Sequence, residues 1–294
     1  MLYVGQGSTA TALTLPDYYM SEISQVCPLP DGRMVVFAYM PPSVIVVYVV
    51  EHASIVNSLW VSHPVISPNQ RWISFTKWYP HYVQGSDEIM LYDLSKTPAQ
   101  NQPPPDSLHP NDPKMDAGTI IFPAGHENFD GSNIVNTPPD QIIHNVATLH
   151  WAPDSGSIVF KDLVVEQPVE ASQPGIVLVT LDGKGNPSVF RRPLTRTEIC
   201  VREDVKTNPN NWNLDEAEFG SNGAIRLTVS PFSNNPARVG SQDESCTEQA
   251  LELSQRDFQA MPAEVHVKPT YPAPTEEDLR LHRVPAKNRK VQNQ

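Results

Sequence analysis

An all-β fold is what this sequence predicts, and three observations predict it. A hairpin-like phrase recurs: residues 63–75 read HPVISPNQRWISF, and residues 149–160 read LHWAPDSGSIVF. Proline supplies 30 of 294 residues, about twice its usual share, so turns are frequent. Charged residues make up 18% of the chain, below the usual quarter or so, which argues against long surface helices.

Each copy of the phrase has an apolar strand, a Ser/Ala-Pro-Asn/Asp turn and a second strand of form Ile-x-Phe. Proline sets φ for the first corner of a tight turn, and Asn or Asp there hydrogen-bonds its own backbone. The flanking Trp72, Ile73 and Phe75, and Ile158, Val159 and Phe160, favour strand. A third, weaker copy spans residues 26–37, with Pro28, Asp31 and Gly32. Gly32 and Gly156 are expected to relax the backbone just after the turn.

In chain order, strands are expected at residues 1–4, 10–15, 34–39 and 44–50. The run 44–50 reads as a buried strand. Residues 61–96 form the clearest unit and end in the strand 88–94. Residues 144–194 form a second, with 175–181 as its later strand, a turn at 182–186 and a strand at 188–191. Further on, 198–202 and 224–229 read as strands.

The stretch 97–143 carries nine prolines, which remove ladder donors, so it reads as an insertion with one strand at 118–122. Ser245 with Glu248 three residues later suggests a helix start, with Ala250, Leu251, Leu253 and Phe258 as its apolar face. The stretch 262–294 has five prolines and few apolar residues to bury, and is expected to be extended or disordered.

These hairpins resemble the inner hairpin of a β-propeller blade of the TolB-like or WD40-like kind. The resemblance covers residues 20–96 and 144–192. The prolines at 28 and 68 lie 40 residues apart, and those at 68 and 153 lie 85 apart, against a blade period of about 40–45. The resemblance implies an array of antiparallel four-stranded blades. A closed ring needs about four or more blades, whereas the sequence offers two clear ones and a weak one. The expected organisation is propeller-like blades over 1–96, the insertion over 97–143, blades and irregular strands over 144–243, a short helix over 244–261, and the tail over 262–294.

Bulk properties narrow the function. Net charge is −12 with a pI near 5.1, which argues against binding nucleic acid through phosphates. The longest apolar run has seven residues, too few for a membrane-spanning helix of about 20. No basic start followed by an apolar block marks a signal peptide. The expected location is cytoplasmic, or extracytoplasmic if the chain is a trimmed exported protein. Of the three cysteines, Cys27 reads as a small buried hydrophobe, and Cys200 and Cys246 are the only pair considered for a bridge, with three free thiols as the open alternative.

Catalytic patterns are poorly matched. Ser74 and Lys77 form Ser-x-x-Lys, but on a strand the two side chains point to opposite faces. His126, Glu127 and Asp130 share a loop but lack the second histidine of a zinc helix. The oxygen-rich segment 208–216 lacks the glycine of a calcium loop. No Gly-x-Ser-x-Gly elbow, phosphate-cradling loop or metal-ligand spacing occurs, so no cofactor or metal is expected.

The best candidate binding site is the aromatic cluster after the second hairpin. Trp78, Tyr79, His81 and Tyr82 follow Trp72 and Phe75 around Pro80. Flat rings on a loop offer a large contact area at low entropy cost. The competing reading is packing between blades. The functional expectation is a non-enzymatic binding or scaffold protein for a protein or carbohydrate ligand. The alternative is a hydrolase or lyase with a site built from loops at one end of the blades.

Overall fold

The computed structural model describes residues 2–4, 11–13, 22–40, 44–77, 88–101, 118–123, 143–165, 173–195, 198, 217–229 and 249–262. About two thirds of these residues are strand, and every strand pairing is antiparallel. A small hairpin joins β1 (Leu2–Val4) and β2 (Thr11–Leu13). A seven-stranded meander follows: β3 (Glu22–Pro28), β4 (Met34–Met40), β5 (Val44–Glu51), β6 (Ser54–Ile66), β7 (Trp72–Lys77), β8 (Ile89–Asp93) and β9 (Thr119–Phe122). The next sheet runs β10 (Ile143–Trp151), β11 (Ser157–Val165), β12 (Gln173–Leu181) and β13 (Pro187–Pro193). The short strand β17 (Gln259–Ala260) closes its last edge. A three-stranded sheet holds β14 (Ala217–Phe219), β15 (Ile225–Val229) and β16 (Gln249–Leu253).

All four sheets are open, and no closed barrel or ring forms among the described residues. The expected division into four-stranded blades is not what the first sheet shows. Its thirteen-residue β6 pairs with β5 over 54–61 and with β7 over 61–66, so the first two hairpins share one continuous sheet. The strand from the insertion, β9, extends that same sheet.

The three hairpins read from the sequence are present. In each, the first turn residue donates its N–H across the loop, and the residue three later donates back: Leu29 with Arg33 and Gly32, Ser67 with Trp72 and Gln70, Ala152 with Ser157 and Ser155. Two further turns, at Asp182–Asn186 and Gly220–Ala224, repeat the shorter form. In the short form the left-handed residue is glycine, with φ of 87° at Gly32, 88° at Gly185 and 78° at Gly223, as a type I turn with a glycine bulge requires.

The Ser67 and Ala152 loops are one residue longer, and there the left-handed residues are Gln70 (φ 59°) and Ser155 (φ 62°). Relief therefore falls on Ser155 and not on Gly156, because the left-handed position is the third after the first turn residue in every loop and the extra residue follows it. Both long-form hairpins also carry a bulge four residues before the turn, at His63 and Thr148, each with φ 50°. The later strands end alike: Leu94 N–H bonds Arg71 carbonyl, and Leu181 N–H bonds Gly156 carbonyl.

A non-glycine residue in the left-handed region costs roughly 1–2 kcal/mol, part of which glycine gives back as unfolded-state entropy. Gln70→Gly should therefore raise stability by about 0.5–1 kcal/mol in a urea titration. Ser155→Gly should give no gain, because the Ser155 hydroxyl accepts the Asn69 N–H at 2.9 Å. A loss of stability in Gln70→Gly would refute this account of the turn.

One face of the seven-stranded sheet forms a single apolar layer from Val35 and Phe37 on β4 through Phe75 on β7 to Tyr92 on β8. The sheet curls around this layer, since the Arg33 guanidinium in the first hairpin donates to the Leu94 carbonyl beyond β8. The opposite face of β7–β9 packs on the five-stranded sheet through Trp72, Leu91, Phe122, Phe160 and Val177. The five-stranded sheet's other face packs on the three-stranded sheet through Val159, Leu178, Ile225 and Leu253. Sheets thus stack face to face in chain order. The outer face of the last one is polar, with Arg226 placed between Glu218 and Glu252 across the strands, all three exposed.

Two local expectations are corrected. The helix expected over 244–261 is absent from its described part. Residues 249–253 form strand β16, with Leu253 buried and Glu252 exposed, an alternation of period 2. A capping box does occur there, but it joins Ser254 to Asp257 and opens only a 3-10 turn, Gln255–Asp257. Of the strand expected at 198–202 only Glu198 is described, and it accepts from the Thr195 N–H and hydroxyl in a capped turn; 199–202 lie outside the described residues. The start of the insertion is ordered. Pro98–Asn101 makes one helical turn, and the buried Asn101 side chain bonds both the N–H and the carbonyl of Asp93 at 2.8 and 2.7 Å. Cys27 is partly buried and packs on the first apolar layer. Cys200, Cys246 and residues 263–294 lie outside the described residues.

Candidate functional site

The facing sheets β7–β9 and β10–β13 have two unlike ends. Their tight turns lie at one end, where the Asn69 N–H bonds the Ser155 hydroxyl and Arg71 donates to the Gly183 carbonyl at 3.1 Å. Arg71 also lies 4.2 Å over the Trp72 ring and reaches Asp93 at 3.3 Å. The connection between Leu94 and Gly118 also leaves the tight-turn end, while those at Lys77 and Glu88, Pro123 and Ile143, and Val165 and Gln173 leave the opposite end.

Beneath that second end lies the only buried histidine–aspartate–arginine cluster among the described residues. His144 Nδ1 is 3.0 Å from both carboxylate oxygens of Asp162, and Arg191 Nε is 3.3 Å from Oδ2. His144 and Asp162 side chains are wholly buried, and that of Arg191 is 11% exposed. The strand order explains how they meet. Asp162 is on β11 and Arg191 on β13, with β12 between them. Gly175 on β12 sits opposite Asp162, and a Cβ there would lie 2.7 Å from the Arg191 guanidinium carbon. Only glycine leaves room for the arginine to cross its neighbour strand. The Phe122 ring from β9 stands edge-on to His144 at 4.7 Å, so the cluster is also a contact between sheets.

Gly175→Ala should push Arg191 off Asp162. Loss of one hydrogen bond between charged groups predicts a cost of about 1.5–3 kcal/mol, read by urea denaturation. A cost below about 0.5 kcal/mol, the range of ordinary surface changes, would show that the crossing is not needed.

An aspartate that orients a histidine is the arrangement of a general base. Here both side chains are closed to solvent, so no substrate reaches the imidazole. The cluster serves to pin β10, β11 and β13 beneath the connections. Other polar groups among the strands are equally structural. The Ser74 hydroxyl is buried and donates to the Val65 carbonyl, so Ser74 is no exposed nucleophile. Asn57 donates to the Tyr92 hydroxyl at 2.7 Å. Burial pushes the Tyr92 phenol above its ordinary pKa, while hydrogen bonds with Asn57 and Asn101 pull it down. Burial alone would raise the Glu198 carboxyl, but hydrogen bonds from Arg192 and Thr195 hold it below the usual range.

Of the residues singled out by sequence, Trp78, Tyr79, His81 and Tyr82 lie outside the described residues, as do His126, Glu127, Asp130 and the segment 208–216. The described strands place only the loop's roots: Thr76 opposite Ile89, and the buried Glu88. Sequence reading missed the His144–Asp162–Arg191 cluster. The one available signal was a buried-type strand, 173–181, interrupted by Pro174-Gly175.

Among the described residues no group of three or more His, Cys, Asp or Glu side chains could hold a metal ion. No helix there is long and apolar enough to cross a membrane. Comparison with known protein families and with curated proteins finds no match for this chain.

Proposed function

We propose that this chain is a non-enzymatic binding or scaffold protein, built from blades like those of TolB-like propellers, that recognises a protein or carbohydrate through connections at one end of its stacked sheets. One observation carries this reading. In two consecutive units the tight turns lie at one end together with the 94–118 connection, and three connections, rooted at Lys77/Glu88, Pro123/Ile143 and Val165/Gln173, leave the other. A rigid frame that gathers several connections at one end is a usual way for a repeat scaffold to present a recognition surface. The aromatic residues Trp78, Tyr79, His81 and Tyr82 belong to the first of these connections. Rings presented this way give binding energy without catalytic groups.

The test is a double variant, Trp78→Ala with Tyr82→Ala, screened beside the parent chain on glycan and peptide arrays. The parent is expected to bind a defined class of spots. The variant is expected to lose that signal at least tenfold, with stability within about 1 kcal/mol of the parent as for exposed positions. Unchanged array binding would overturn the site. A loss of about 3–5 kcal/mol, the cost of truncating buried aromatics, would assign these rings to packing.

A further inference from the structure

We draw no further inference here: the strongest candidate, the solvent-facing edge strand β3 with its exposed Ile23 and Val26, is an unpartnered apolar edge, and nothing in the structure shows what covers it.

Discussion

Asp162→Asn is expected to lower the free energy of unfolding by about 3–5 kcal/mol, the range for breaking a buried ion pair from one side. The substitution keeps the shape of the side chain and removes its charge. Arg191 and His144 then share a neutral amide where they shared a carboxylate, at a place closed to water. In guanidinium or urea the midpoint should fall while the slope stays the same, since the folded surface is unchanged. A second variant guards against ambiguity. Asp162→Asn combined with Arg191→Met should cost less than the sum of the two single changes, because removing both charges restores balance. A single-variant cost under about 1 kcal/mol, or strict additivity, would mean that the cluster does not hold the sheets as described.

Phe160→Ala is expected to cost a similar amount, about 3–5 kcal/mol, for a different reason. Phe160 is wholly buried between the two facing sheets and meets Phe122 edge-to-face at 5.0 Å. Truncation removes its transfer free energy and leaves a cavity that flanking strands cannot close. Loss of the ring pair adds roughly 0.5–1.5 kcal/mol beyond area. Val26→Ala on the exposed edge is the control, with a change within about 0.5 kcal/mol. If Phe160→Ala cost no more than Val26→Ala, the stacking of β10–β13 on β7–β9 would be refuted. Partial melting, with one unit lost first, would show that the sheets fold independently.

The reason these two residues differed in legibility is instructive. Phe160 was plain in the sequence as the last residue of Ile-x-Phe after a Pro-Asp turn, since period-2 patterning assigns it a buried face. Asp162 carried no such mark. It lies two residues further along the same face, where pattern alone predicts an apolar side chain. Its partners come from positions 18 residues before and 29 residues after it. Only the register of β10 to β13 brings them together, and only Gly175 lets them touch.

The same division runs through the whole chain. By itself the sequence determined the strand class and the three hairpins, because proline, Asn/Asp and the flanking β-branched and aromatic residues act within a few residues of one another, although in the first hairpin Pro28 ends β3 and Pro30 takes the corner. It also determined the equivalent places of 88–94 and 175–181 after their hairpins, now seen in the matching bonds of Leu94 and Leu181. Residues 249–253 went the other way. Their helix signal was local and weak, and pairing with β15 gave Leu251 and Leu253 a common face to bury. Tertiary structure alone decided that β6 would serve two sheet partners in succession. It also decided that a charged cluster would lie beneath the connections at one end. Each of these depends on strand register and sheet stacking, which are fixed by contacts between residues far apart in the chain, and short-range pattern carries no information about those contacts.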